Sequence, residues 1–145
     1  MFQKTLKTDN AGSTIIIRLM IGAVFLSEGI QKFLFPEKLG AGRFAKIGLP
    51  NPDFLGPFVG IFEITCGILI LIGLFTRLSA IPLLIIMLVA MATTKMQLYI
   101  DNGFWSMLHD SRTDWAMLLG SIFLNIKGGG RWSLDKSLWN QNKSL

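Results

Sequence analysis

The chain has 145 residues, 51% of them apolar and 16% charged, and a mean hydropathy of +0.52. Soluble domains carry about 25% charged residues, so this composition excludes an ordinary soluble domain and points to a single membrane domain. The net charge of +5 comes from basic residues scattered around the ends of apolar runs, and no zinc spacing, phosphate loop or RNA-binding signature accompanies them; this excludes nucleic acid and leaves anionic lipid headgroups as the plain partner.

Residues 1–10 are polar and are expected at the surface. The apolar run that follows contains Arg18 and no clean small-x-small cleavage site, so it reads as a retained helix rather than a secretion signal. This first helix, about 13–35, is closed by Pro36. Arg18, Gly22, Phe25, Gly29 and Lys32 share one of its faces, and Glu28 stands four residues before Lys32, the favoured order for an intrahelical ion pair. That pair is either a plain surface pair or part of a site.

Residues 36–53 are rich in Gly and Pro and long for a connection, so they are expected to fold over the others as a lid. Phe44 and Ile47 would dip into the interface while Arg43 and Lys46 face headgroups. The second helix, about 54–76, has twenty-three residues and one charge, Glu63. Its rise of roughly 34 Å exceeds the roughly 30 Å of a bilayer core. A carboxylate there costs about 2.5–3.5 kcal/mol on the insertion scale. Gly56, Gly60, Glu63 and Gly67 fall on one narrow face, which small residues suit for close packing against another helix. Glu63 either ties two helices together or belongs to a ligand, proton or redox site. The single cysteine, Cys66, allows no internal disulfide and no C-x-x-C pair, and reads as a small buried residue.

A very short turn at Thr76 and Arg77 leads into an antiparallel third helix, about 78–99. Ser79, Pro82, Ile86, Ala90, Thr93 and Gln97 form its small and polar face, and Lys95 points almost the opposite way, where it could snorkel. Residues 101–113 are expected to form a second loop, with Phe104 and Trp105 as interfacial anchors. It carries the one histidine, His109, close to Asp110, Arg112 and Asp114. A lone histidine does not make a metal site, and none is expected. His109 is a proton carrier or a hydrogen-bonded strut. The fourth helix, about 113–127, is short for a crossing and needs Lys127 to snorkel or the bilayer to thin. After three glycines, residues 128–145 read as an amphipathic tail in which Trp132, Leu134, Leu138 and Trp139 rest on the membrane.

The expected fold class is therefore all-α: a polytopic membrane protein built as a four-transmembrane-helix bundle with a lid-like first loop. Eight of the fourteen Lys and Arg fall on the side of the termini and six on the other, which slightly favours cytoplasmic termini. Depth along the helices brings Glu28, Lys32, Glu63, Thr93, Lys95, Gln97 and Asp114 into the same half of the bundle, under the two long loops. Independent helix ties would not cluster so; a half-membrane pocket with a lid would.

The run RLMIGAVFLSEGIQKF, then GRFAKIGLP, EITCGILILIGLFTRLSAIPLL, ATTK, HDSRTDWAMLLG and the closing G-x-G-x-x-SLD resemble the DoxX family of small bacterial membrane proteins over about residues 14–136. The resemblance implies a four-helix integral membrane protein. The family takes its name from a subunit associated with a thiosulfate:quinone oxidoreductase, and some members are linked to membrane redox and oxidative-stress complexes. Its motif positions here are Gly29, Lys32, Glu63, Gly67, Arg77, Lys95, His109, Arg112, Asp114, Ser133 and Asp135. Gly129 departs from it, standing where a proline is expected.

Three functions stay open at this point. One is a redox-associated subunit that holds a quinone or similar apolar ligand, with Glu63 and Lys95 handling protons and His109 or Asp114 reaching water. Another is a non-catalytic assembly subunit, and the last a small transporter or lipid-handling protein. One histidine and no dinucleotide-binding glycines leave no built-in haem or flavin site, and an unpaired cysteine argues against dithiol chemistry. Whether the chain is itself an enzyme is left open. The expected setting is the bacterial cytoplasmic membrane, with the lipid bilayer, a redox-enzyme subunit and a second copy of the chain as partners.

Overall fold

The computed structural model describes residues 8–141, so the start of the polar N-terminal arm and the last residues of the amphipathic tail lie outside the described residues. The elements are α1 (Thr14–Leu34), α2 (Ala41–Lys46), α3 (Pro52–Ile72) and α4 (Thr76–Ala90), then a π turn (Met91–Lys95), α5 (Met96–Asp110), α6 (Arg112–Lys127) and α7 (Leu134–Gln141). No strand occurs among the described residues. Three helical runs are long and apolar enough to cross a membrane: Thr14–Leu34, Pro52–Ile72 and Thr76–Asp110. Helix α6, at sixteen residues and about 24 Å, falls short of that length.

The closest packing is between α1 and α3, and glycines cause it. A Cβ on Gly29 would stand 2.8 Å from the Gly60 carbonyl oxygen, and one on Gly67 would stand 2.9 Å from the Leu26 nitrogen. Backbones this near leave no room for a side chain, which is what small-residue helix faces allow in a membrane. Gly56 does the same for the connection, its missing Cβ leaving space for Ala41 of α2. In the round, α1 meets α3 and α6, and α4 meets α3 and α6. Ile21, Phe25, Ile70, Leu83, Met87, Met117 and Leu124 fill the space between them. Outward, Ile16, Ile61, Leu88, Leu119 and Ile126 are exposed. So much bare apolar surface suits hydrocarbon rather than water.

Helix α3 begins two residues earlier than the sequence suggests and ends four earlier. Pro52 opens it at a position where a missing N–H costs nothing. Gly73, with φ of 74°, closes it in the left-handed conformation. Helix α4 then starts at Thr76, not Leu78, for a reason far along the chain. The buried Asp135 carboxylate accepts the backbone N–H groups of Phe75 (2.7 Å) and Thr76 (2.9 Å), capping the helix.

Arg18 belongs to the same end. Counted in the sequence as a flanking charge, it is only 2% exposed. Its guanidinium donates to the carbonyls of Ile70 (2.8 Å) and Leu71 in the last turn of α3, and to Gly129 (3.3 Å) and Trp132 beyond α6. The Ile70 carbonyl, which takes only the Gly73 cap N–H (3.1 Å) from its own chain end, and the Leu71 carbonyl are the open end of α3, and a cation there also suits the helix dipole. Asn125 donates to the Arg77 carbonyl (3.1 Å), and the Ser133 hydroxyl accepts from the Lys136 N–H (3.2 Å) at the start of α7. The start of α1, the α3–α4 turn and the end of α6 are thus tied into one knot, with α7 fastened over it.

The stretch 101–113, expected as a loop, is helical as far as Asp110. Gly103 breaks it: with φ of 81° and ψ of 175° it adopts a conformation that side-chain-bearing residues avoid, and two short helical arms meet there. Lys95, at the head of this excursion, sits 2.5 Å from Asp110 at its end, so the chain goes out and returns.

Candidate ligand-binding site

At the end of the molecule opposite the Arg18 knot lies a cavity of about 430 Å³. Helix α1 contributes Val24, Phe25, Glu28 and Lys32; α3 contributes Leu55, Phe58, Val59 and Glu63. Ile85, Ile86, Met87, Val89 and Ala90 of α4, Thr93 and Thr94 of the π turn, and Thr113, Asp114 and Met117 of α6 complete the wall. The connection 36–51 adds Leu39, Arg43, Phe44, Ile47 and Leu49 to the lining. Phe44 and Ile47, expected to dip into the lipid interface, turn to the cavity instead, and so does Arg43.

The strongest electrostatic feature is the contact between Lys32 Nζ and Glu63 Oε2, at 2.6 Å with both side chains nearly buried. Glu63 Oε2 has no aligned hydrogen bond, so the contact is an ion pair whose carboxylate keeps accepting capacity. Glu28 Oε2 lies 4.0 Å from the same ammonium and is half exposed, which gives Lys32 a second, wetter anion. Glycine packing makes this geometry possible, because Gly29 and Gly60 flank the pair and bring α1 and α3 within its reach.

Across the cavity stands a second charged group. Lys95 Nζ pairs with Asp110 (2.5 Å) and Asp114 (3.0 Å), and Asp114 itself lines the cavity. A straight α-helix would have turned Lys95 away from the cavity face and Gln97 onto it. The π turn inserts an extra residue, so the α-helical register does not carry past Met91. Thr93 and Thr94 hydroxyls donate back to the carbonyls of Val89 (2.8 Å) and Ala90 (2.5 Å) in the preceding turn. Lys95 therefore meets α6, and Gln97 leaves the site to bond Asp101 at 3.1 Å.

Of the residues singled out from the sequence, Glu28, Lys32, Glu63, Thr93 and Asp114 line the cavity, and Lys95 supports its wall through Asp114. Gln97, His109 and Arg112 are exposed and do not line it. Arg43, Thr94 and Thr113 line it without having been anticipated. Arg43 was expected to face headgroups, and the one signal against that was its place beside Phe44 in the segment expected to fold over the bundle. Ser133, Asp135 and Arg77 belong to the distant knot. Among the described residues, no group of three or more His, Cys, Asp or Glu is placed to hold a metal ion.

The DoxX family profile matches residues 13–96, more than half of the chain and every cavity-lining element before α6. The chain belongs to the DoxX family. Among curated proteins this DoxX chain is 50% identical over 141 residues to "Uncharacterized membrane protein Rv3486" of Mycobacterium tuberculosis (strain ATCC 25618 / H37Rv), covering 93% of this chain and 86% of that protein. It is 26% identical over 131 residues to the Bacillus subtilis (strain 168) protein named "Putative oxidoreductase CatD", covering 90% of each. No solved structure matches it. Membership agrees with the three apolar helical runs of a membrane protein, each of which contributes to the cavity wall.

Proposed function

We propose that this DoxX protein is a membrane subunit of a redox or oxidative-stress system, and that its cavity binds a quinone or a similar apolar molecule with a polar head. The observation that carries the reading is the Lys32–Glu63 ion pair, set against an otherwise largely apolar cavity. An ion pair kept inside a membrane protein is costly, and its retention is best understood through what it binds. The volume of about 430 Å³ lies within the range of small-molecule sites, and polar groups stand at both sides of it. A flat, two-carbonyl head would find Lys32 donating at one oxygen and the Thr113 hydroxyl as a donor for the other. The distant likeness to a protein named an oxidoreductase supports a redox setting.

In this reading the ligand supplies the redox chemistry, electrons come from a partner enzyme, and the chain positions the head. Glu63 and Lys32 hold or pass a proton at its oxygens. Helix α6, with Leu119, Phe123 and Ile126 bare on its outer side, is the fourth crossing of a four-helix bundle, and residues 36–51 are the lid. The termini lie on the cytoplasmic side of the inner membrane. A scaffold subunit is the alternative, with the charges as struts. Titration of a naphthoquinone into the protein in lipid nanodiscs separates the two. Saturable binding that Glu63→Gln abolishes supports the ligand site; binding that ignores the substitution removes it.

A further inference from the structure

We infer that the cleft between α3 and α4 is a side opening through which the apolar tail of the cavity's ligand lies out into the bilayer. This rests on the reading of the cavity just given. A second hollow of about 150 Å³ lies in that cleft, lined by Phe58, Val59, Phe62, Pro82, Ile85 and Ile86. Phe58, Val59, Ile85 and Ile86 line the main cavity as well, so the two spaces share a wall of four side chains. All six residues are apolar, in contrast to the mixed lining next door.

Depth identifies the occupant. Phe58 and Phe62 stand about 9–15 Å along α3, and Pro82 and Ile86 stand about 9–15 Å along α4. The two helices are joined by a short turn and run antiparallel, so Phe62 and Phe58 lie about 15–21 Å from the turn and Pro82 and Ile86 about 9–15 Å from it, and the two sets meet near the middle of the crossing. Phe58, Phe62 and Ile85 are exposed on the outer surface there. At that depth a bilayer offers hydrocarbon only, and neither a headgroup nor a molecule from water could reach the cleft. Residues 36–51, the proposed lid, also line the cavity. What fits is an isoprenoid or alkyl chain attached to a head that sits beside Lys32 and Glu63.

The test uses the full chain in lipid nanodiscs and two labelled probes, 2-methyl-1,4-naphthoquinone and the same ring carrying a prenyl tail. Pro82→Trp fills the hollow and Phe62→Ala opens it, and neither residue lines the main cavity. Each variant is compared with the unaltered protein for each probe, so lipid partitioning cancels. The expected result is that Pro82→Trp weakens the tailed probe by about tenfold and the tailless probe by less than about twofold. Phe62→Ala keeps both, and retained binding of the tailless probe shows that the variants are folded. Equal losses for both probes, or no loss for the tailed one, would overturn the side opening while leaving the cavity intact. If neither probe binds the unaltered protein, the ligand reading itself fails and the opening with it.

Discussion

Removing one member of the Lys32–Glu63 pair should cost far more than removing both. With Lys32→Met, a carboxylate with 5% side-chain exposure loses the ammonium at 2.6 Å and keeps no comparable partner. A buried charge stranded in this way costs about 3–5 kcal/mol. Glu63→Gln is milder, because Lys32 still has Glu28 at 4.0 Å and that carboxylate is 44% exposed. The loss should then be roughly 1.5–3 kcal/mol, the size of one hydrogen bond to a charged group. Lys32→Met combined with Glu63→Leu strands nothing, and should leave stability within about 1 kcal/mol of the parent or raise it. Unfolding in mixed micelles, followed by far-UV circular dichroism, gives all four corners of the double-mutant cycle. A double variant as unstable as the two single losses combined would refute the reasoning, because the pair would then be holding the helices together.

Other expectations concern the packing and the far end. Gly67→Ala places a methyl against the Leu26 backbone at 2.9 Å and should cost about 1–3 kcal/mol, read as a lowered midpoint in the same unfolding assay. Asp135→Ala removes the acceptor for the Phe75 and Thr76 N–H groups and should cost about 1–2 kcal/mol, while the affinity of the cavity for a naphthoquinone stays unchanged. Asp9, outside the membrane helices, is held below its ordinary value of 3.8 by the Asn10 backbone N–H first and then by Lys127. A carboxyl group lowered on folding adds stability above its unfolded value and loses it as pH falls through the folded one, so the tie to Lys127 should release only below the ordinary carboxyl value of 3.8. An NMR titration of the Asp9 carboxyl carbon checks this, and Lys127→Met should move its midpoint upward.

Much of the site was legible because α-helical periodicity is a strong signal in long apolar runs. The spacing of Gly56, Gly60, Glu63 and Gly67 identified the buried face of α3, and the depth of Glu28, Lys32 and Asp114 brought them to the same level. Periodicity failed where the backbone changed its period. The π turn at Met91–Lys95 carried Gln97 off the site and turned Lys95 toward Asp114. The helical arms around Gly103 were hidden because Asp101, Asn102 and Gly103 together read as a turn. The Arg18 and Asp135 knot joins positions more than a hundred residues apart, and nothing local marks such a pairing. Arg18 near the start of an apolar run looks the same whether it snorkels or gathers carbonyls. His109 illustrates the converse: its rarity drew attention, yet it stands exposed at the end of α5.

The most direct test of the central claim is native mass spectrometry of the protein gently extracted from its own membrane, with the released lipids identified in parallel. A stoichiometric quinone-like molecule on the unaltered chain, absent from the folded Lys32→Met, Glu63→Leu double variant, is the expected result. A chain that carries no such molecule, or carries it equally in the double variant, would contradict the ligand site and turn the cavity charges into struts.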